Sequence, residues 1–330
     1  MTQNQRRLWL QRFGIGAAAA GSAAIWGAAK ASSWPTRPLR LIVPFNVGTP
    51  PDIVSRLLAQ LISPGLGQPV VVENRPGAIG IVGLNEMLRQ PADGHTLFCL
   101  LMPVTTAKAL LPNQRIDLVA DTEPVIQVDW NESVLVVSRE VPARSVRELI
   151  ELLRAKPNQL SFGSGGNGTP AHLTAEVFKA QQQVSAVHVP YAQFMQAVPD
   201  LMNNRIQFMF LTSTVAVPQV KSGKLAALAV VGAQRLAALP EVPTMAEAGF
   251  GDFDTRSWDG IIVKAGTPRE VVERLNREIR TALETPQVRE RFAELGMVPA
   301  PGTPQQFGEL IRREITRWTE VIRAAGIRAE

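Results

Sequence analysis

At 330 residues the chain is long enough for two domains or one large one. Its 45% hydrophobic and 19% charged residues suit a globular protein with a substantial core and exclude a disordered chain. The net charge of +5 is concentrated at the N-terminus: removing Arg6, Arg7, Arg12 and Lys30 from the 34 basic residues leaves 30 against 29 acidic, which excludes the basic footprint of a nucleic-acid binder.

The first segment reads as an export signal. Arg6 and Arg7 precede an Ala/Gly-rich apolar run over residues 13–29, too short and too weakly apolar for a membrane span, and Ala29-Lys30-Ala31 is an A-x-A cleavage signature. Export and cleavage after Ala31 are expected. Arg6-Arg7-Leu8-Trp9-Leu10 is similar to a twin-arginine signal, although Gln5 stands where that pattern prefers Ser or Thr, so Sec and twin-arginine export both stay open.

Apolar β-type runs then alternate with helical patterns. Strands are expected at 39–44, 70–73, 96–101, 134–138, 160–162, 187–189, 206–210, 225–231 and 260–263. Helices are expected at 52–62, 146–155, 170–182, 196–203, 269–284 and 303–325. Continuous apolar strands separated by helices predict an α/β protein with mainly parallel sheets flanked by helices.

Two strand-to-helix junctions carry the chemistry. After the first strand comes Pro44-Phe45-Asn46-Val47-Gly48-Thr49-Pro50-Pro51-Asp52, and later Ser164-Gly165-Gly166-Asn167-Gly168-Thr169-Pro170 opens a helix. Backbone N–H groups at a helix start favour a carboxylate or phosphate, so a small carboxylate gripped from both sides is the expected ligand. Gly163, Gly165 and Gly168 also match G-x-G-x-x-G, but residues 184–199 lack the acid a dinucleotide ribose requires. A nucleophile elbow around Ser164 fails because Phe162 stands at its first glycine position. Cys99 is the only cysteine, which excludes an intramolecular disulfide, and its apolar surroundings suggest an inert thiol. His95, His172 and His188 lack zinc-motif spacing, so no metal, cofactor or enzymatic activity is expected.

The chain resembles a known family along nearly its whole mature length. The resemblance is carried by residues 37–45, 52–59 and 66–78 (LGQPVVVENRPGA). It continues through 92–97, 162–173 (FGSGGNGTPAHL), Val189-Pro190-Tyr191, 239–249 and Gly266-Thr267-Pro268. These are similar to periplasmic substrate-binding proteins of tripartite tricarboxylate transporters, the Bug family. The resemblance implies a two-lobed periplasmic binding protein of type II. Residues 34–133 plus 256–330 would form one lobe and 134–255 the other, with ligand in the cleft between. It implies a carboxylate held by Phe45, Asn46, Val47, Gly48 and Thr49 on one side and Ser164, Gly165, Asn167, Gly168 and Thr169 on the other. Met102, Thr105, Tyr191, Phe194 and Leu211 are expected to line the same site.

Departures from the family pattern suggest a less polar ligand. Asn46-Val47-Gly48-Thr49 replaces a common Pro-Pro-Gly-Gly, Ala192-Gln193-Phe194-Met195 replaces a Gly-containing segment, and Gln207 and Leu211-Thr212 stand where relatives often carry Asp. Phe194, Met195 and Leu211 predict a carboxylate with an apolar or aromatic tail. His172 is expected to hold its loop, Asp52 to favour its helix start, Arg75 to be architectural, and Trp258 to pack the core or hinge. The expected partners are this acid and the membrane subunits of a tripartite transporter, or alternatively a sensor kinase that reads the closed form. A monomer is expected.

Overall fold

A computed structural model describes residues 34–111, 113–251 and 253–328. The expected export signal lies outside them. The chain begins with β1 (Leu39–Val43), α1 (Pro50–Leu66) and β2 (Val70–Asn74), then α2 (Ile81–Leu88) and β3 (Thr96–Leu101). Three short helices follow, α3 (Met102–Thr105), α4 (Ala107–Leu110) and α5 (Leu118–Asp121), before β4 (Thr122–Asn131). The middle of the chain holds β5 (Ser133–Ser138), α6 (Val146–Ala155), β6 (Ser161–Ser164), α7 (Pro170–Gln182) and β7 (Val187–Pro190). Next come α8 (Ala197–Met202), β8 (Phe208–Thr212), α9 (Ser213–Lys221) and β9 (Leu225–Val231). The last part is β10 (Ser257–Lys264), α10 (Arg269–Leu283), α11 (Pro286–Glu294), β11 (Met297–Pro299) and α12 (Pro304–Ala324).

Local chemistry marks the helix ends. Thr49 and Thr169 are extended residues ahead of helices whose first positions are proline, where the missing N–H is harmless. Gly67 ends α1 in the left-handed conformation, φ 72°. Ser145 caps α6 by accepting from the Glu148 N–H, and Thr303 with Gln306 forms a reciprocal capping box on α12.

The strands form two sheets, in the order β11-β4-β10-β3-β1-β2 and β7-β6-β8-β5-β9. Both are mixed rather than mainly parallel. β1 runs parallel to β2 and β3, with Leu41 beside Val72 and Leu97, whereas β10 is antiparallel to β3 and β4. In the second sheet β6 is parallel to β7 and β8, while β5 is antiparallel to β8 and β9. The antiparallel pairings lie where the chain changes sheets. β4 leaves the six-stranded sheet and, after the single residue Glu132, continues as β5 in the other; the chain returns through residues 232–256 into β10.

β4 was not among the expected strands. Glu123, Pro124, Asp129 and Asn131 interrupt its apolar pattern, yet it lies between β11 and β10. Pro124 lacks a ladder N–H and faces Ile262 where the register shifts, a position that tolerates it. One continuous core runs behind both sheets. It contains Phe98, Trp258, Phe307 and Trp318 on one side and Phe162, Phe178, Phe208 and Phe210 on the other. Each such side chain contributes roughly 1.5–3 kcal/mol on burial. α12 packs on β4 of the six-stranded sheet and on α3, α4 and α7, the last of these being the helix between β6 and β7. Trp258 is wholly buried, edge-on to Phe307, and donates its indole N–H to Glu314, which places it in the core.

Candidate ligand-binding site

The two sequence-selected turns share one conformation. At the end of β1, Gly48 is left-handed at φ 82° and Thr49 is extended at φ −75°, ψ 156°; after β6, Gly168 has φ 75° and Thr169 φ −71°, ψ 157°. The Thr49 N–H donates to the Asn46 carbonyl at 3.3 Å and its hydroxyl to the same oxygen at 2.7 Å; Thr169 does the same to Gly166 at 3.3 and 2.8 Å. In both, the threonine carbonyl accepts from the fourth residue on, Ile53 or Leu173, at 3.0 Å. One turn belongs to each sheet.

Both glycine amides are engaged inside their own turns. Gly48 N–H donates to Asp52 Oδ2 at 2.9 Å and Gly168 N–H to His172 Nδ1 at 3.1 Å, each four residues on. Neither threonine hydroxyl caps its helix; both close the turn instead. The N–H groups of Val47 and Gly165 donate to no acceptor among the described residues. Val47 is 71% exposed.

Asp52 has the structural role expected of it. It also accepts from Arg56 Nε at 3.1 Å and Asn74 Nδ2 at 2.9 Å, and Asn74 reaches the Phe45 carbonyl at 2.9 Å. Burial acts to raise the Asp52 carboxyl, but these donors together hold it below the usual carboxylate range. Arg75 pairs with Glu73 at 3.2 Å, an architectural contact.

Behind the second turn lies a feature the sequence reading did not assemble. The rings of His172 and His188 stack at 3.8 Å between centroids with 8° between planes, and His188 also stacks on Phe162. His188 Nε2 lies 2.6 Å from Ser164 Oγ, which also contacts the Gly166 carbonyl and accepts from the Gly166 N–H, both at 3.1 Å. Burial, reinforced by the His172 ring, pushes His188 down to about 4, so it is neutral near pH 7. His188 could have been flagged from sequence only by placing its strand beside the turn. His172 holds the loop, as expected.

The remaining expected residues divide into turn neighbours and core. A methyl on Gly165 would stand 3.3 Å from Phe194 Cβ and 3.7 Å from Thr169 Cγ2, which brings these three together. The Tyr191 N–H donates to the Ser164 carbonyl at 3.0 Å, while its hydroxyl donates to Asp200 at 2.8 Å rather than pointing free. Thr105 is buried and donates to the Met102 carbonyl at 2.6 Å. Met102 and Leu211 are 0% exposed; Leu211 sits in the β8 ladder opposite Val134, in the core beneath Tyr191 and Phe194. Asn167 donates to the carbonyl of Arg328, just beyond α12.

A chain of contacts links the turns through residues 102–110. Gly80 packs so closely that an added methyl would meet both Val104 on α3 and Pro44, next to the first turn. At the other end of this segment, a methyl on Gly168 would overlap Leu110 Cδ1. A β-carbon at Gly168 therefore perturbs backbone and packing as well as ligand approach. Cys99 is buried and its thiol is pushed up by burial and then by Asp259, consistent with an inert thiol. Among the described residues no group of three or more His, Cys, Asp or Glu side chains is arranged to hold a metal.

Two α/β sheets joined by two crossings, with a matched glycine turn at a strand end of each, give the architecture of a two-lobed binding protein. The chain belongs to the tripartite tricarboxylate transporter receptor family, whose model matches residues 54–327. It is 34% identical to protein BugT of Bordetella pertussis over 98% of both chains. A structure of an R. palustris protein with adipate has 32% identity and a TM-score of 0.78, covering 89% of this chain and 99% of that one. MatC from Rhodopseudomonas palustris with bound malate has 28% identity and a TM-score of 0.74, covering 87% and 99%. Proteins of this family are periplasmic solute-binding receptors, not enzymes.

Proposed function

We propose that the turns at 45–49 and 164–169 hold the carboxylate of a small organic acid between two lobes, residues 34–133 with 256–330 and residues 134–255. The observation that carries this reading is the matched turn geometry, one turn on each sheet, each opening a helix. The Val47 and Gly165 N–H groups are the donors, and each helix start adds roughly 0.3–1 kcal/mol for an anion. Thr105, Tyr191 and Phe194 flank the site, with Met102 and Leu211 packed behind it. Relatives solved with adipate and malate support a small carboxylate. Phe194 beside Gly165 and the 57%-exposed Met195 favour one with an apolar tail. Lobe closure buries the acid.

The mature protein, cleaved after Ala31, delivers this acid from the periplasm to the membrane subunits of a tripartite transporter. Calorimetry against adipate, malate and aliphatic and aromatic monoacids tests the ligand. Binding of an apolar-tailed acid, weakened at least roughly tenfold by Val47→Asp, is expected, because the new charge lies on an exposed position beside the carboxylate. Binding of malate alone rejects the apolar tail, and affinity unchanged in Val47→Asp rejects the turns. Uptake of the acid should be lost on gene deletion; intact uptake with loss of an acid-induced transcriptional response would indicate sensing instead.

A further inference from the structure

We propose that a crevice beside the crossing between the sheets is a second binding site, for a small organic ammonium or guanidinium ion, with Glu132 as its counter-charge. Glu132 is the single residue between β4 and β5. Its side chain is buried, the residue being 7% exposed, and its carboxylate has no hydrogen-bond or ion-pair partner among the described residues. It faces a cavity of about 400 Å³ with apolar walls from Val217, Pro218, Leu236 and Met297. Gly232 lets the carboxylate lie close over the backbone, since a methyl there would stand 2.6 Å from Glu132 Oε1. No residue of the two turns lines this crevice.

The other charges facing Glu132 are already balanced. Arg256 makes a bidentate pair with Asp254 at 2.8 and 2.7 Å and lies over the Trp130 ring, 4.4 Å from its centroid. Arg235 is held by Glu247 at 2.8 Å and the Pro240 carbonyl at 2.9 Å, and Glu294 is paired with Arg291 at 2.6 Å. Glu132 is therefore left as a buried carboxylate that needs either a proton or a cation. Burial pushes it up to about 7, with the Arg256 charge acting the other way, so proton and cation compete near neutrality. One carboxylate is too few ligands for a dehydrated divalent metal. An organic cation, whose apolar body packs on Val217 and Leu236 while its charged head meets Glu132, matches the lining.

Calorimetric titration with n-butylammonium and with methylguanidinium, on the full mature protein, tests the site. Saturable binding is expected for at least one probe, with proton release to buffer. Affinity should rise roughly tenfold between about pH 6 and about pH 8, as the ionised share of a group near 7 rises from about a tenth to about nine-tenths. Glu132→Gln, which removes a buried charge and so preserves folding, should abolish binding. Gly232→Ala, which displaces the carboxylate, should weaken it, and Val47→Asp should leave it unchanged. Absence of binding by both probes, a pH-independent affinity, or equal affinity in Glu132→Gln would overturn the site without touching the carboxylate reading. Loss of acid binding in Val47→Asp tests only the latter.

Discussion

Replacing the two turn glycines by alanine separates backbone strain from packing. Gly48 and Gly168 have nearly the same φ, 82° and 75°, so alanine meets the same left-handed penalty at each, roughly 1–2 kcal/mol. Their surroundings differ. Nothing lies within 4 Å of a methyl at Gly48, whereas one at Gly168 overlaps Leu110 Cδ1. Overpacking of this kind adds about 1–3 kcal/mol. Gly48→Ala should therefore cost about 1–2 kcal/mol and Gly168→Ala about 2–5 kcal/mol. Urea unfolding reads this as a shift in midpoint with unchanged slope. Leu110→Ala alone should cost about 2–5 kcal/mol, but with that side chain gone, Gly168→Ala should fall to the cost of Gly48→Ala, a coupling of about 1–3 kcal/mol. Equal costs at the two glycines, or strict additivity with Leu110→Ala, would refute the contact between the second turn and α4.

Three further outcomes are expected. Asp129 and Asp259 are cross-strand neighbours in the interior, and both are pushed up, Asp129 by burial and then by Asp259, and Asp259, by burial, to about 7. The folded state then binds more protons than the unfolded one from about pH 4 to about pH 7, so stability falls as pH rises through that window; Asp129→Asn should flatten the fall in urea titrations at several pH values, and an unchanged slope would refute the pair. Tyr191, the sole tyrosine, is pushed up to about 12 by burial and by its bond to Asp200, so phenolate absorbance should titrate lower in Asp200→Asn. An unshifted titration would remove that bond. Cys99 should resist a thiol reagent in the native protein and react on unfolding; rapid native labelling would contradict its burial.

Much of the fold was legible because burial on both faces writes itself as continuous apolar runs. β3, β5 and β9 follow that rule, as does β1 apart from the half-buried Arg40, and the helices 146–155 and 170–182 coincide with their expected ranges. β4 was hidden because polar Asp129 and Asn131 break its apolar run: Asp129 Oδ1 accepts from Asn131 along the same strand at 2.7 Å and from the Asp259 N–H across the sheet at 3.3 Å. The candidate turns were visible as glycine, threonine and proline between strand and helix. Their internal bonds were not, since Asp52 and His172 occupy equivalent places with unlike chemistry.

The amino-acid order by itself determined the alternation of strands and helices, the two turns and the family, because these rest on local patterns a few residues long. Only the tertiary structure decided that the sheets are mixed, that His172 stacks on His188, that Leu211 lies in the core, and that Glu132 is buried at the crossing, its carboxylate with no hydrogen-bond or ion-pair partner among the described residues. Each of those depends on which distant segments meet, and burial, pairing and charge balance are properties of that meeting rather than of any stretch of chain.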